Sequence, residues 1–167
     1  MQKTLLRHMA AGFLFTAVAG TLFHFFYDWS HQNAIVGLFT PVNESIWEHI
    51  KLLFFPMLFY ALSATRKWES SYPCIGYALS SGILFGCLLI PVLYYTYTGI
   101  SGVQITAVDI AIFYISVLAA FLLACRLVNT CHGQKRDWLV RLLVVLLAAA
   151  FFIFTFFPPA LPLFTSP

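Results

Sequence analysis

A chain of 167 residues, 61% of them hydrophobic and only 9% Asp, Glu, Lys or Arg, cannot build a water-soluble surface, because a soluble domain of this size usually carries about 25% charged residues. Its net charge of +3 comes without the extended basic patches that nucleic-acid binding requires, so nucleic acid is excluded as a partner. The 18 Phe and 8 Tyr residues place the apolar content in large side chains suited to acyl chains and tight helix packing.

The N-terminus begins like a signal peptide, with Lys3 and Arg7 ahead of an apolar run. The run continues through Phe26 without a polar break, and the remainder is equally membrane-like, so a retained first span is expected. Five stretches are long enough to cross about 30 Å of hydrocarbon as helices. They lie near residues 9–27, 47–63, 73–95, 103–125 and 138–157. The expected fold is all-α, a polytopic membrane helix bundle of about five transmembrane helices forming one transmembrane domain over residues 1–167.

The second span is the shortest, and Lys51 near its start is expected to snorkel to the headgroups. Pro56 and Pro91 fall inside spans and predict kinks. Gly82 and Gly86 form a GxxxG-type step whose close approach is expected within the chain rather than between copies. Trp29, Trp47, Trp68 and Trp138 fall at span ends, the headgroup level that indole rings prefer.

Lys3, Arg7, Arg66, Lys67, Arg126, Lys135, Arg136 and Arg141 all fall on one side of such a bundle, leaving Lys51 on the other. The positive-inside rule therefore predicts a multi-pass protein with a cytoplasmic N-terminus and an outer C-terminus. Pro158 and Pro159 end the last helix because neither can donate a backbone hydrogen bond. Of the cysteines, Cys74, Cys125 and Cys131 fall at the cytoplasmic rim and Cys87 within a span. There is no CxxC pair, so the cysteines are expected to remain reduced.

The remaining ionisable residues gather at the outer side. His24 and Asp28, four apart at the end of the first span, share a helical face. The segment TPVNESIWEHIK supplies Asn43, Glu44, Glu48 and His49 as the second span begins, although Glu44 reads equally well as a solvated loop charge. Asp109 is expected about 9 Å into the fourth span, at about 1.5 Å per residue, facing the bundle interior with His24 or His49 as its partner.

The candidate acid and base residues are thus His24, Glu48, His49 and Asp109. The candidate ligands for a divalent metal such as zinc are His24, Asp28, Glu48, His49 and Asp109, because imidazole and carboxylate suit such ions. No HExxH, GxSxG or glycine-rich phosphate loop is present. Competing with these roles, Ser45-Ile46-Trp47-Glu48 also matches a capping box, with Ser45 as N-cap and Glu48 returning to its backbone amide.

PVNESIWEHIKLLFFP from Pro41 to Pro56, YYTYTGISG from Tyr94 to Gly102 and FTFFPPALPLF from Phe154 to Phe164 resemble an uncharacterised family of small bacterial multi-spanning membrane proteins. The resemblance runs over nearly the whole chain and, with the predicted topology, implies a multi-pass location in a bacterial cytoplasmic (inner) membrane without implying an activity. The family pattern continues beyond the proline-rich tail through an Asp-Pro and a glycine-tyrosine segment.

Three function classes fit. The first is an accessory or assembly protein with a His/Asp/Glu cluster at the outer face. Alternatives are a metal-assisted hydrolase or transferase acting on a lipid or lipid-linked substrate, and a proton- or ion-coupled transport module. The expected partners are membrane lipids, a lipid-linked substrate or another membrane protein.

Overall fold

The computed structural model describes residues 2–131 and 137–166. Lys135 and Arg136 of the expected basic rim lie outside the described residues, which form six α-helices and a terminal 3-10 turn. These are α1 (Gln2–Trp29), α2 (Ala34–Phe39), α3 (Ile46–Trp68), α4 (Ile75–Ser101), α5 (Thr106–Thr130), α6 (Asp137–Phe156) and the turn Pro162–Phe164. Among the described residues, α1, α4, α5 and α6 are long and apolar enough to cross a membrane.

The stretch expected as the second span, α3, does not qualify on composition because it carries Glu48 and Lys51 in its first two turns and Arg66 and Lys67 in its last. It can carry Glu48 and Lys51 because that part of the helix is enclosed, whereas Arg66 and Lys67 are exposed near its other end. α3 packs against α1, α4 and α6 and buries Leu53, Phe54, Phe55 and Met57 almost completely. α6, by contrast, turns most of its surface outward, as a lipid-facing helix does.

Pro56 and Pro91 lie inside α3 and α4. The small-residue step in α4 serves packing within the chain: a Cβ on Gly82 would lie 2.6 Å from the Ala120 carbonyl oxygen of α5, and one on Gly86 would lie 2.8 Å from Leu53 of α3. Gly82→Leu is therefore expected to destabilise the protein by about 1–3 kcal/mol through overpacking, measured as the shift in its unfolding midpoint in mixed micelles. An unchanged midpoint would show that α4 and α5 can separate without loss.

Three expectations are corrected. Lys51 does not snorkel; its side chain is fully buried, because an ion pair within the bundle replaces the headgroups. Trp47 marks the start of α3 but leaves the lipid boundary for the core, packing on Phe151 and Phe164, whereas Trp29 and Trp138 are well exposed. The cysteines do not all remain free. Cys74 and Cys131 form a disulfide with a Cα–Cα distance of 5.6 Å, because the antiparallel pairing of α4 and α5 brings the start of one beside the end of the other.

Candidate metal centre

The ends of α1 and α4 and the starts of α3 and α5 meet on the side opposite the disulfide. The chain enters α3 through a turn built by its own polar side chains. Asn43 Oδ1 accepts from the Ser45 amide at 2.9 Å, and Ser45 Oγ accepts from the Glu48 amide at 3.4 Å. The capping expectation is half met: Ser45 is the N-cap, but the Glu48 carboxylate accepts from the Val42 amide at 3.0 Å instead of returning to Ser45. This turn fixes Glu44 immediately ahead of the helix and His49 one turn inside it.

His49 Nδ1 lies 2.9 Å from the Ser45 carbonyl oxygen. A carbonyl can only accept, so Nδ1 carries the proton and the neutral ring presents a lone pair at Nε2. His24 Nε2 lies 3.3 Å from that nitrogen. Glu44 Oε2 lies 3.3 Å from His49 Nε2 and 3.8 Å from His24 Nε2. Ligands about 2.0–2.1 Å from a tetrahedral zinc ion stand about 3.3–3.4 Å apart; the two separations from His49 match that spacing and the third, 3.8 Å from His24 to Glu44, is wider. His24, Glu44 and His49 can therefore hold a metal ion, and the carbonyl on Nδ1 is the outer-shell partner that ordinarily orients a histidine ligand. All three side chains remain partly exposed, leaving access for a fourth ligand.

Of the residues anticipated as ligands, the fold brings His24 and His49 together and adds Glu44 as the carboxylate. Glu44 was legible only as the charge preceding the α3 cap; that the turn points it back toward α1 is a tertiary fact. Asp28 lines a small polar pocket with Tyr27, Asn43, His24 and Glu44. Glu48, nearly fully buried, instead receives Lys51 Nζ at 2.7 Å. Lys51 also reaches Gly37 O at 2.9 Å, Thr40 O at 3.4 Å and Thr155 Oγ1 at 2.6 Å. This network ties α2, the turn at 40–42 and α6 to α3, and so holds the segment that carries Glu44.

Asp109 differs from expectation in its partner. It lies in the first turn of α5, where the helix N-terminus favours a carboxylate. It pairs with Tyr97 and Gln104 rather than with a histidine: Tyr97 donates to Oδ1 at 2.5 Å and Gln104 to Oδ2 at 2.9 Å.

A cavity of about 450 Å³ joins these groups, lined by His24, Glu44, His49 and Asp109 toward the helix ends and by Leu52, Ile90 and Ile112 farther along the helices. Ile90 lies roughly 16 Å from the end of α4 at about 1.5 Å per residue, and Phe25, Ile110 and Tyr114 border the cavity where α1 faces α5. These three side chains are substantially exposed, so the cavity has an apolar side between two membrane-facing helices. Thr21 Oγ1 and the Tyr114 hydroxyl, 3.0 Å apart, bridge the same two helices.

The fold and the cluster together define a class, a multi-span membrane helix bundle with a His/Glu/His set able to coordinate a divalent metal such as zinc. The chain belongs to the family described as "Family of unknown function (DUF6512)", which it matches over residues 2–167. No curated protein and no solved structure matches it.

Proposed function

We propose that this protein is a metal-dependent membrane enzyme, a hydrolase or transferase whose lipid or lipid-linked substrate reaches the His24, Glu44 and His49 cluster through the cavity between α1 and α5. The observation that carries this reading is the convergence of two imidazole nitrogens and a carboxylate oxygen at 3.3–3.8 Å, with His49 unable to donate from Nε2 while neutral. A lone pair facing a carboxylate oxygen at 3.3 Å is repulsive unless a proton or metal cation lies between them. When bound, the metal supplies Lewis acidity and a water made acidic enough to attack at neutral pH. His24, Glu44 and His49 hold it, Ser45 orients His49, and the polar pocket beside Asp28 gives water a route to the cluster.

Depth separates this reading from the accessory one. A cluster that merely braced a loop would need no cavity below the headgroups, whereas this cavity follows α4 down to Ile90. The deep lining of Leu52, Ile90 and Ile112 suits an acyl chain better than a migrating ion, which favours the enzyme over a transport module.

For orientation, the basic end carries Arg66, Lys67, Arg126 and Arg141 and points to the cytoplasm. That places the metal centre and the C-terminus at the outer face, with α3 crossing as a fifth span. The same assignment puts the Cys74–Cys131 pair where thiols are kept reduced. Both thiols are accordingly expected to alkylate in intact growing cells lysed into a thiol trap, and the disulfide to appear after purification in air. Full protection from the trap in growing cells would reverse the orientation.

The metal proposal is tested by elemental analysis of protein purified in detergent without added metal. Near-stoichiometric zinc or another divalent ion is expected in the wild type and should be lost in Glu44→Ala/His49→Ala. Well-folded wild-type protein that neither retains metal nor takes it up on titration would sink the reading.

A further inference from the structure

The charges at the site end are one-sided. Among the described residues that end carries Asp28, Glu44, Glu48 and Asp109 against Lys51 alone, and Lys51 is buried in its pair with Glu48. No lysine or arginine lines the cavity. A divalent ion in the cluster offsets two of the three carboxylate charges left by the Lys51–Glu48 pair, those of Asp28, Glu44 and Asp109, so the end stays net negative with the ion bound, and a phosphate-headed lipid would find no guanidinium or ammonium there to receive it.

Asp109 is the carboxylate of the cavity lining outside the cluster, and it keeps accepting capacity. An ionised carboxylate offers about four lone-pair sites, whereas Tyr97 and Gln104 occupy one on each oxygen. Thr106 and Tyr94 lie on the same wall. The free sites call for a partner that brings O–H or N–H groups, and the apolar lining calls for an acyl chain.

We propose that the cavity selects an uncharged, hydroxyl-bearing acyl lipid, with a headgroup hydroxyl donating to Asp109, the acyl chain lying along Leu52, Ile90 and Ile112, and phosphate-headed lipids excluded. This rests on the cavity being the substrate site of the proposed enzyme. It assigns Asp109 to headgroup recognition rather than to metal ligation, with Tyr97 as the positioning residue that holds the carboxylate.

The test compares two lipids that differ only in the phosphate, monooleoylglycerol and oleoyl-lysophosphatidate, by titrating each into the purified full-length protein and reading binding by native mass spectrometry. The wild type is expected to bind the glycerol lipid at least about tenfold more tightly than its phosphorylated counterpart. Asp109→Asn should weaken glycerol-lipid binding about tenfold, the loss of one hydrogen bond to a charged group, and narrow the discrimination while metal content stays unchanged. Tyr97→Phe should give a smaller loss in the same direction. Equal or tighter binding of lysophosphatidate, or Asp109→Asn with unaltered affinity and discrimination, overturns the proposal. Selection of the glycerol lipid by a protein that never takes up metal would instead overturn the metal-enzyme reading and leave the recognition assignment standing, so the two failures are distinguishable.

Discussion

Replacing Lys51 with methionine is expected to lower the unfolding free energy by about 3–5 kcal/mol, the usual cost of leaving one member of a buried ion pair without its partner. The ammonium is fully buried and surrounded by Glu48, the Gly37 and Thr40 carbonyls and Thr155, so no solvent can compensate Glu48 once it is gone. Glu48→Leu/Lys51→Met should recover much of the loss, because a well-packed apolar pair restores volume without a stranded charge. Equilibrium unfolding in mixed detergent micelles provides the measurement. A Lys51→Met change below about 1 kcal/mol would mean that the pair is solvated. The same variant should reduce metal affinity about 10–100-fold, as the loss of groups supporting a ligand generally does, because the network anchors the turn that carries Glu44.

Metal should in turn stabilise the fold. Zinc at 100 times its dissociation constant is expected to raise the unfolding free energy by about 2.7 kcal/mol through mass action, and a chelator should remove that increment. The three ligands come from α1, the turn before α3 and α3 itself, so the ion would tie together elements that meet here through the 3.3 Å approach of the two Nε2 atoms and the edge-on packing of the rings. His49→Ala should abolish the zinc-dependent shift while leaving the chelated protein close to the wild type, since His49 is not part of the fully buried core. A zinc-dependent shift of the same size in His49→Ala would place the ion elsewhere on the molecule.

The all-α class and four of the helices long enough to cross a membrane were legible in the sequence, because apolar runs of that length have few other folded states and a helix satisfies its own backbone in lipid. Pro158 and Pro159 marked where α6 stops, and Ser45 marked where α3 starts. Charge segregation was legible in part, since Asp28, Glu44, Glu48 and Asp109 fall at the opposite span ends from most basic residues, whereas Glu69 and Asp137 lie among the basic ones and pair with Arg141. The sequence could not decide which charged side chains meet. Glu48 and Glu44 are four residues apart near one helix start, yet the fold buries one with Lys51 and turns the other toward His24 and His49. Local spacing describes a helical face, whereas partner choice depends on which neighbouring helix that face meets. Cys74 and Cys131, 57 residues apart, became a pair for the same reason, because the antiparallel packing of α4 and α5 sets a distance that no local pattern contains.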